Sequence, residues 1–188
     1  MLINNDTIIK DTDPVLRTVS EPVELPLSEE DRALLTDMMQ YVIDSTDEEK
    51  AEKYNLRPAV GISAIQLGIP KQLTAVAIEE INKNNETVSY KFALANPKIV
   101  SFSKQKAYLD SGEGCLSVEN EHEGYVVRSA RVTVRGYDML TDRNIEIRAR
   151  GYLAIVLQHE LDHFKGVLFY DHINKDEPYK EVPDALVI

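Results

Sequence analysis

The chain has 188 residues, enough for one domain with its own apolar core, and its 43% hydrophobic and 28% charged content is that of a globular protein rather than a disordered or collagen-like one. Lysine and arginine number 21 against 32 aspartates and glutamates, a net charge of −11, which argues against a broad phosphate-gripping face and so against nucleic acid as a direct substrate. The single cysteine permits no intrachain disulfide, which points to a reducing compartment and leaves that residue three roles: packing, nucleophile or metal ligand.

Met1 to Asp6 has neither the basic start nor the apolar stretch of a signal peptide. The longest aliphatic run, Leu153 to Leu157, is far too short to span a bilayer, so a cytoplasmic protein with no membrane partner is expected.

Pro14, Pro22 and Pro26 break up the first segment. Ser28 followed by Glu29, Glu30 and Asp31 then reads as an N-cap with an acidic first turn, which suits the positive end of a helix. Leu34, Leu35, Met38, Met39, Val42 and Ile43 recur at helical spacing to about residue 45 and form one apolar stripe for core packing. Asp44 to Lys53 is charged and mostly polar, a solvated loop or a helix extension. Leu73 to Ile78 and Tyr90 to Ser103 read as strands, the second running around Asn96-Pro97, with Asn82 to Glu86 as the polar turn between them. Val132 and Val134 alternate with Arg131, Thr133 and Arg135, while Ile145, Ile147 and Ala149 alternate with Glu146, Arg148 and Arg150. With a turn near Thr141 to Asn144, this is a hairpin with one buried face. Gly151 to Lys165 is apolar nearly all round and is followed by Gly166 at a helix-stop position, so it reads as a buried helix. The predicted class is α+β: short antiparallel β-sheets packed around a central helix, with an N-terminal helix, in a single domain over residues 1–188.

The buried helix carries Gln158-His159-Glu160-Leu161-Asp162-His163. His159 and His163 are four apart, so their rings project from one face and can close on a single metal ion, with Glu160 beside them to take a proton from water. Two imidazoles and a carboxylate are expensive to bury in so apolar a helix, and a divalent cation offsets that cost; a pair of satisfied core histidines is the alternative. The extended metalloprotease pattern wants a third histidine six residues after His163, where this chain has Phe169. The protease arrangement with a downstream glutamate has only Glu177 and Glu181, in a tail interrupted by Pro178 and Pro183. That leaves Cys115, in Gly112-Glu113-Gly114-Cys115-Leu116-Ser117, where flanking glycines let the backbone turn tightly and present a thiolate and N–H groups to an ion. A nucleophilic pair of Cys115 with His122 or His172 is the other option, but it leaves the His-Glu-x-x-His helix without a purpose. In a third segment, Val60 to Pro70, Gln66 is an uncharged amide among apolar neighbours, suited to a structural or a functional hydrogen bond.

In this order the three segments resemble the peptide deformylases, metal enzymes that remove the formyl group from the N-terminal formyl-methionine of new bacterial proteins. That family's motifs are Gly-x-Gly-x-Ala-Ala-x-Gln, Glu-Gly-Cys-x-Ser and Gln-His-Glu-x-Asp-His. The second is intact as Glu113 to Ser117 and the third as Gln158 to His163; in the first, Ala59 and Ser63 replace a glycine and an alanine while Gly61, Ala64 and Gln66 stand. The stretch around Asp44 to Arg57 and the want of a long C-terminal helix look like the form found in Gram-positive bacteria. The resemblance implies Cys115, His159 and His163 as metal ligands, Glu160 as general acid/base, and Gln66 with the Leu116 backbone N–H as oxyanion donors. It also implies Val60, Gly61 and Gly114 as backbone contacts to the substrate peptide, and Ile155 and Val156 as walls of the methionine pocket. The implied cofactor is ferrous iron, one per chain; zinc, nickel or cobalt suit the same thiolate and imidazole donors. The implied partners are N-formyl-methionyl nascent peptides. Transient ribosome docking would need a local basic patch, expected among Arg128, Arg131, Arg135, Arg143, Arg148 and Arg150. At Ala59 a left-handed backbone would cost about 1 kcal/mol, whereas a negative φ would make the change nearly silent. Ser63 either back-bonds within its helix or alters the packing of the substrate loop. A metallopeptidase and a non-catalytic fold with a structural metal are the competing readings.

Overall fold

A computed structural model describes residues 2–81 and 84–188. Ser28 caps helix α1 (Glu29–Ser45), its Oγ accepting the Asp31 N–H at 3.1 Å, as the acidic first turn leads one to expect. The charged stretch after it is the end of α1 plus a second helix, α2 (Glu48–Tyr54), which buries no residue and ends at Asn55 with φ 55°. The remaining elements are β1 (Gly61–Ser63), β2 (Leu73–Ile81), β3 (Thr87–Phe102), β4 (Lys106–Tyr108), β5 (Arg128–Ser129), β6 (Arg131–Asp138), β7 (Arg143–Arg150), α3 (Gly151–His163) and β8 (Leu186–Val187).

One sheet runs β1-β2-β3-β6-β7 with every neighbour antiparallel; the other runs β5-β4-β8, in which β4 and β8 are parallel. The architecture is thus mixed helix and sheet, but not uniformly of short antiparallel strands: one pair is parallel and β3 spans 16 residues. β3 passes through Asn96-Pro97 by a bulge, with a register shift between Ala95 and Lys98 and Asn96 at φ 51°. Proline has no N–H for the ladder, and the Asn96 side chain instead accepts from and donates to the Val23 backbone, both at 2.8 Å. Of the turn expected at Asn82 to Glu86, Asn82 and Lys83 lie outside the described residues.

The larger sheet is covered on both faces. Leu35, Met38, Met39 and Val42 of α1 pack with Leu73, Ala75, Ala93 and Ala95, while Leu153, Val156, Leu157 and Leu161 of α3 pack with Val76, Ile78, Leu94, Val134 and Ile147. This explains why Leu73 to Ile78 is a short run apolar at every position but Thr74, whereas β6 and β7, covered on one side, alternate. α3 also touches β4 and β5, so it lies against both sheets.

Two arginines depart from the expected basic patch. Arg128 is buried on β5, outside the hairpin, and Arg143 shares strand parity with the inward-facing Ile145, Ile147 and Ala149. Arg131, Arg135, Arg148 and Arg150 share the solvent face, where Glu146 pairs with Arg135 and Arg148 and dilutes the charge.

α3 closes with a Schellman motif: the Val167 N–H bonds the Asp162 carbonyl and the Gly166 N–H the His163 carbonyl, both at 3.1 Å. Gly166 has φ +68°, and a Cβ there would lie 2.4 Å from the Arg17 carbonyl oxygen. The end of the site helix is thereby pinned to the N-terminal segment. Gly166→Ala should lower the unfolding free energy by about 2 kcal/mol or more from the combined strain and clash, measured by denaturant titration; a value within about 0.5 kcal/mol of the parent, the scatter of ordinary surface changes, would contradict this packing.

Candidate metal centre and active site

α3 places His159 and His163 one turn apart with ring centroids 5.1 Å from each other. Between β4 and β5 the chain turns at Cys115, where the Val118 N–H bonds the Cys115 carbonyl at 3.1 Å. This turn brings the Cys115 Sγ to 3.5 Å from the His163 Nε2, and one ligand atom from each of Cys115, His159 and His163 lies within 4.8 Å of the others. A soft thiolate and two imidazole nitrogens, all nearly buried, are a donor set that fits a transition-metal ion. Burial pushes the Cys115 thiol up, but the facing His163 and His159 outweigh it and bring its pKa down to about 6, in the direction ligation requires.

The other face of His159 is held by a chain of polar groups that runs from buried Glu113 and Arg128 out to His172 at the surface. Glu113 Oε2 lies 2.8 Å from His159 Nδ1, leaving Nε2 to point toward Cys115 and His163. The opposite oxygen of Glu113 accepts from Arg128 Nε at 2.6 Å, Arg128 Nη1 donates to Asp162 Oδ2 at 2.8 Å, and the same Oδ2 lies 2.7 Å from His172 Nε2. Burial raises the Glu113 carboxyl, yet its bonds to His159 and Arg128 hold it below the usual carboxylate range. Sequence reasoning gave Glu113, Asp162 and Arg128 no role in the site. Glu113 and Asp162 sit inside intact motifs and so carried a signal; Arg128 carried none, being 15 and 34 residues from its partners.

The third segment supplies donors. Gln66 is locked by the Ser63 N–H, which its Oε1 accepts at 2.9 Å, so its Nε2 turns to Ser117 Oγ at 3.2 Å and to the Cys115 Sγ at 3.5 Å. Because the Cys115 carbonyl is engaged by Val118, the planar trans peptide points the Leu116 N–H the opposite way. Lys10 and Arg57 hold the other side of that turn by donating to the Leu116 carbonyl at 3.2 and 3.4 Å. A cavity of about 320 Å³ opens over the cluster, and its wall includes Val60, Gly61, Gln66, Gly114, Cys115, Leu116, Ile155, Val156, His159 and Glu160. Every sequence-nominated residue is thus on one cavity except His163, which sits at its base, 1% exposed. Thr46, Arg57, Pro58, Leu109 and Tyr152 also line the wall and were not singled out in the sequence, and Ala59 and Glu113 complete it.

The competing arrangements do not assemble. His122 is stacked on Tyr170 and His172 is bonded to Asp162, and neither is a hydrogen-bond partner of Cys115. Glu177 is in the exposed tail, paired with Lys180, and Glu181 is exposed there too. Ala59 is not among the positive-φ residues, so the missing glycine is nearly silent.

The sequence profile of the polypeptide deformylase family matches residues 5–179. Peptide deformylase 2 of Bacillus subtilis is 48% identical over 187 residues, covering 100% of this chain and 99% of its own. Among solved structures, the peptide deformylase of Ehrlichia chaffeensis in complex with actinonin superposes with a TM-score of 0.72 at 30% identity, covering 95% of this chain and 92% of that one. A Met-Ala-Ser-bound deformylase from Acinetobacter baumannii gives 0.68 at 29% identity over 92% of this chain and 100% of that one. With the cluster of one thiol and two imidazoles at the base of a cavity, and relatives aligned from end to end, the chain belongs to the peptide deformylase family.

Proposed function

We propose that Cys115, His159 and His163 hold one divalent metal ion, and that Glu160 is the general acid/base in hydrolysis of N-formyl-methionyl peptides, the reaction of this family. The observation that carries the reading is the convergence of Cys115 and His159 with Glu160, Gln66 and Leu116 on one cavity, with His163 buried within ligand distance of Cys115 and His159. When bound, the metal supplies Lewis-acid activation of water and of the formyl carbonyl. Glu160 accepts the proton from the attacking water. Gln66 Nε2 and the Leu116 N–H donate to the oxygen that gains charge at the formyl carbon. Glu160 then passes the proton to the departing amine, so that formate and a free α-amino group leave.

Val60, Gly61 and Gly114 offer backbone to the peptide, and Ile155 with Val156 forms the apolar side that takes the methionine side chain. The Acinetobacter baumannii relative is bound to Met-Ala-Ser, a peptide that begins with methionine, which supports a peptide with an N-terminal methionine as the ligand of this cavity. A peptidase reading wants a third histidine or a downstream glutamate at the metal, and the third donor here is a thiol. We assign residues 1–188 to one catalytic domain with α3 as its central metal-binding helix, acting in the bacterial cytoplasm where formylated nascent chains arise. No helix among the described residues is long and apolar enough to cross a membrane. Transient ribosome contact would use the four exposed arginines of the β6–β7 face. Ferrous iron is the proposed ion.

Cys115→Ala should bind less than about one-tenth of the parental metal per chain, whereas Glu160→Ala should keep full metal and lose at least about a hundredfold in formate release. Undiminished turnover by the Glu160 variant would sink the acid/base role. Glu113→Ala, which frees His159 Nδ1, should weaken metal affinity about 10–100-fold in a chelator competition; unchanged affinity would contradict the orienting role of Glu113. In protein purified without oxygen, activity should track iron content, and an active fraction that tracks zinc alone would overturn the choice of iron.

A further inference from the structure

The two oxygens of the Glu160 carboxylate have different surroundings. Oε1 lies over Gly61, where a Cβ would come within 2.5 Å of it, and both residues line the cavity. Oε2 is 2.7 Å from the Oγ of Ser63, a residue with no exposed surface at the end of β1. Ser63 Oγ is also 3.1 Å from the Glu160 carbonyl and 3.2 Å from Thr74 Oγ1. Thr74 Oγ1 in turn sits 3.0 Å from the Ile62 carbonyl and 3.5 Å from Oε2.

Each hydroxyl has one proton to give. The Ile62 carbonyl can only accept, and it takes the Thr74 proton; Ser63 gives its own to the shortest of its contacts, Glu160 Oε2. The Ser63 hydroxyl therefore reaches across from β1 to α3 with its one proton.

We propose that Ser63 is a positioning residue for catalysis: its hydroxyl ties Oε2 of Glu160, so that Oε1 alone faces the reacting water and is the oxygen that carries the proton. This rests on the assignment of Glu160 as the general acid/base. An oxygen already accepting a buried hydrogen bond is the poorer place for an incoming proton, so proton traffic is confined to the atom on the cavity side. The tie also keeps the carboxylate from turning about its terminal torsion, a soft and roughly two-fold rotation when nothing holds it. Position 63 is where the chain departs from the Ala-Ala of the motif, and the departure adds a hydroxyl in contact with the proposed base.

The experiment is a double-mutant cycle in the metal-loaded enzyme, read by formate release from a formyl-Met peptide, metal content and thermal midpoint. Ser63→Ala should lower kcat about tenfold, with KM within about twofold, while metal content stays at the parental level. Ser63→Thr, which keeps the hydroxyl, should recover most of kcat. In the Glu160→Ala background, Ser63→Ala should change the residual rate less than about twofold, because the group it acts through is gone. An equal loss in both backgrounds, a rise in KM at constant kcat, or full activity of Ser63→Ala overturns the proposal. If Thr does not fold in so tight a site, Ser63→Cys, a weaker donor of similar size, should fall between Ser and Ala, and a Cys variant slower than Ala overturns it as well. Full activity of Ser63→Ala beside an inactive Glu160→Ala refutes only the role of Ser63; an active Glu160→Ala refutes the acid/base reading on which it rests.

Discussion

A helix packed against both sheets nevertheless carries His159, Glu160 and His163, and polar groups taken out of water need partners. Most of the site can be derived from that constraint. Glu113 satisfies His159, Arg128 and Asp162 satisfy each other beside it, Ser63 satisfies one oxygen of Glu160, and Cys115 meets His163. Cys115, His159 and Glu160 are left on the cavity wall, and they are residues the proposed chemistry uses. Among the described residues His163 Nδ1 is buried without a hydrogen-bond partner; for His159 and Glu160, polar satisfaction and the proposed preorganisation are the same set of contacts.

The sheets are arranged so that this helix can be buried and still be reached. β2 and β3 separate α1 from α3, which builds one core on each side of the larger sheet. β1 ends against α3 at Gly61 to Ser63, close enough that no side chain larger than hydrogen fits at Gly61. On the other side the Cys115 turn hangs from the smaller sheet and is steadied by Lys10 and Arg57. The N-terminal segment is clamped to both ends: Ile9 bonds the Gln66 carbonyl, Asp11 the Ser117 carbonyl and Ser20 the Phe164 carbonyl. Three stretches far apart in sequence meet at the site because each is tied to α3 or to the segment that straps it.

What was legible in the sequence follows from the range of each signal. Local patterns read through well: the Ser28 cap, the stripe of α1, the alternation of β6 and β7, and the glycine that stops α3. The His-Glu-x-x-His spacing placed both rings because it depends on one helical turn. The bulge at Asn96-Pro97 and the parallel pairing of β8 with β4 were not readable, since both depend on contacts with distant backbone. Arg128 is the clearest miss. In the sequence it belongs to an arginine-rich stretch that suggests a solvent-facing patch, and only the fold reveals two carboxylates, buried Glu113 and half-buried Asp162, as its partners. Ser63 shows the same limit from the other side, because its partner is 97 residues away.

The proposed metal ion would sit between the Cys115 turn and α3, and X-ray absorption at the metal edge of the anaerobically purified protein reads its donors. One sulfur at about 2.3 Å and two imidazole nitrogens at about 2.0–2.1 Å per metal ion are expected. A coordination shell without sulfur, or one with a single histidine, would contradict the proposed site.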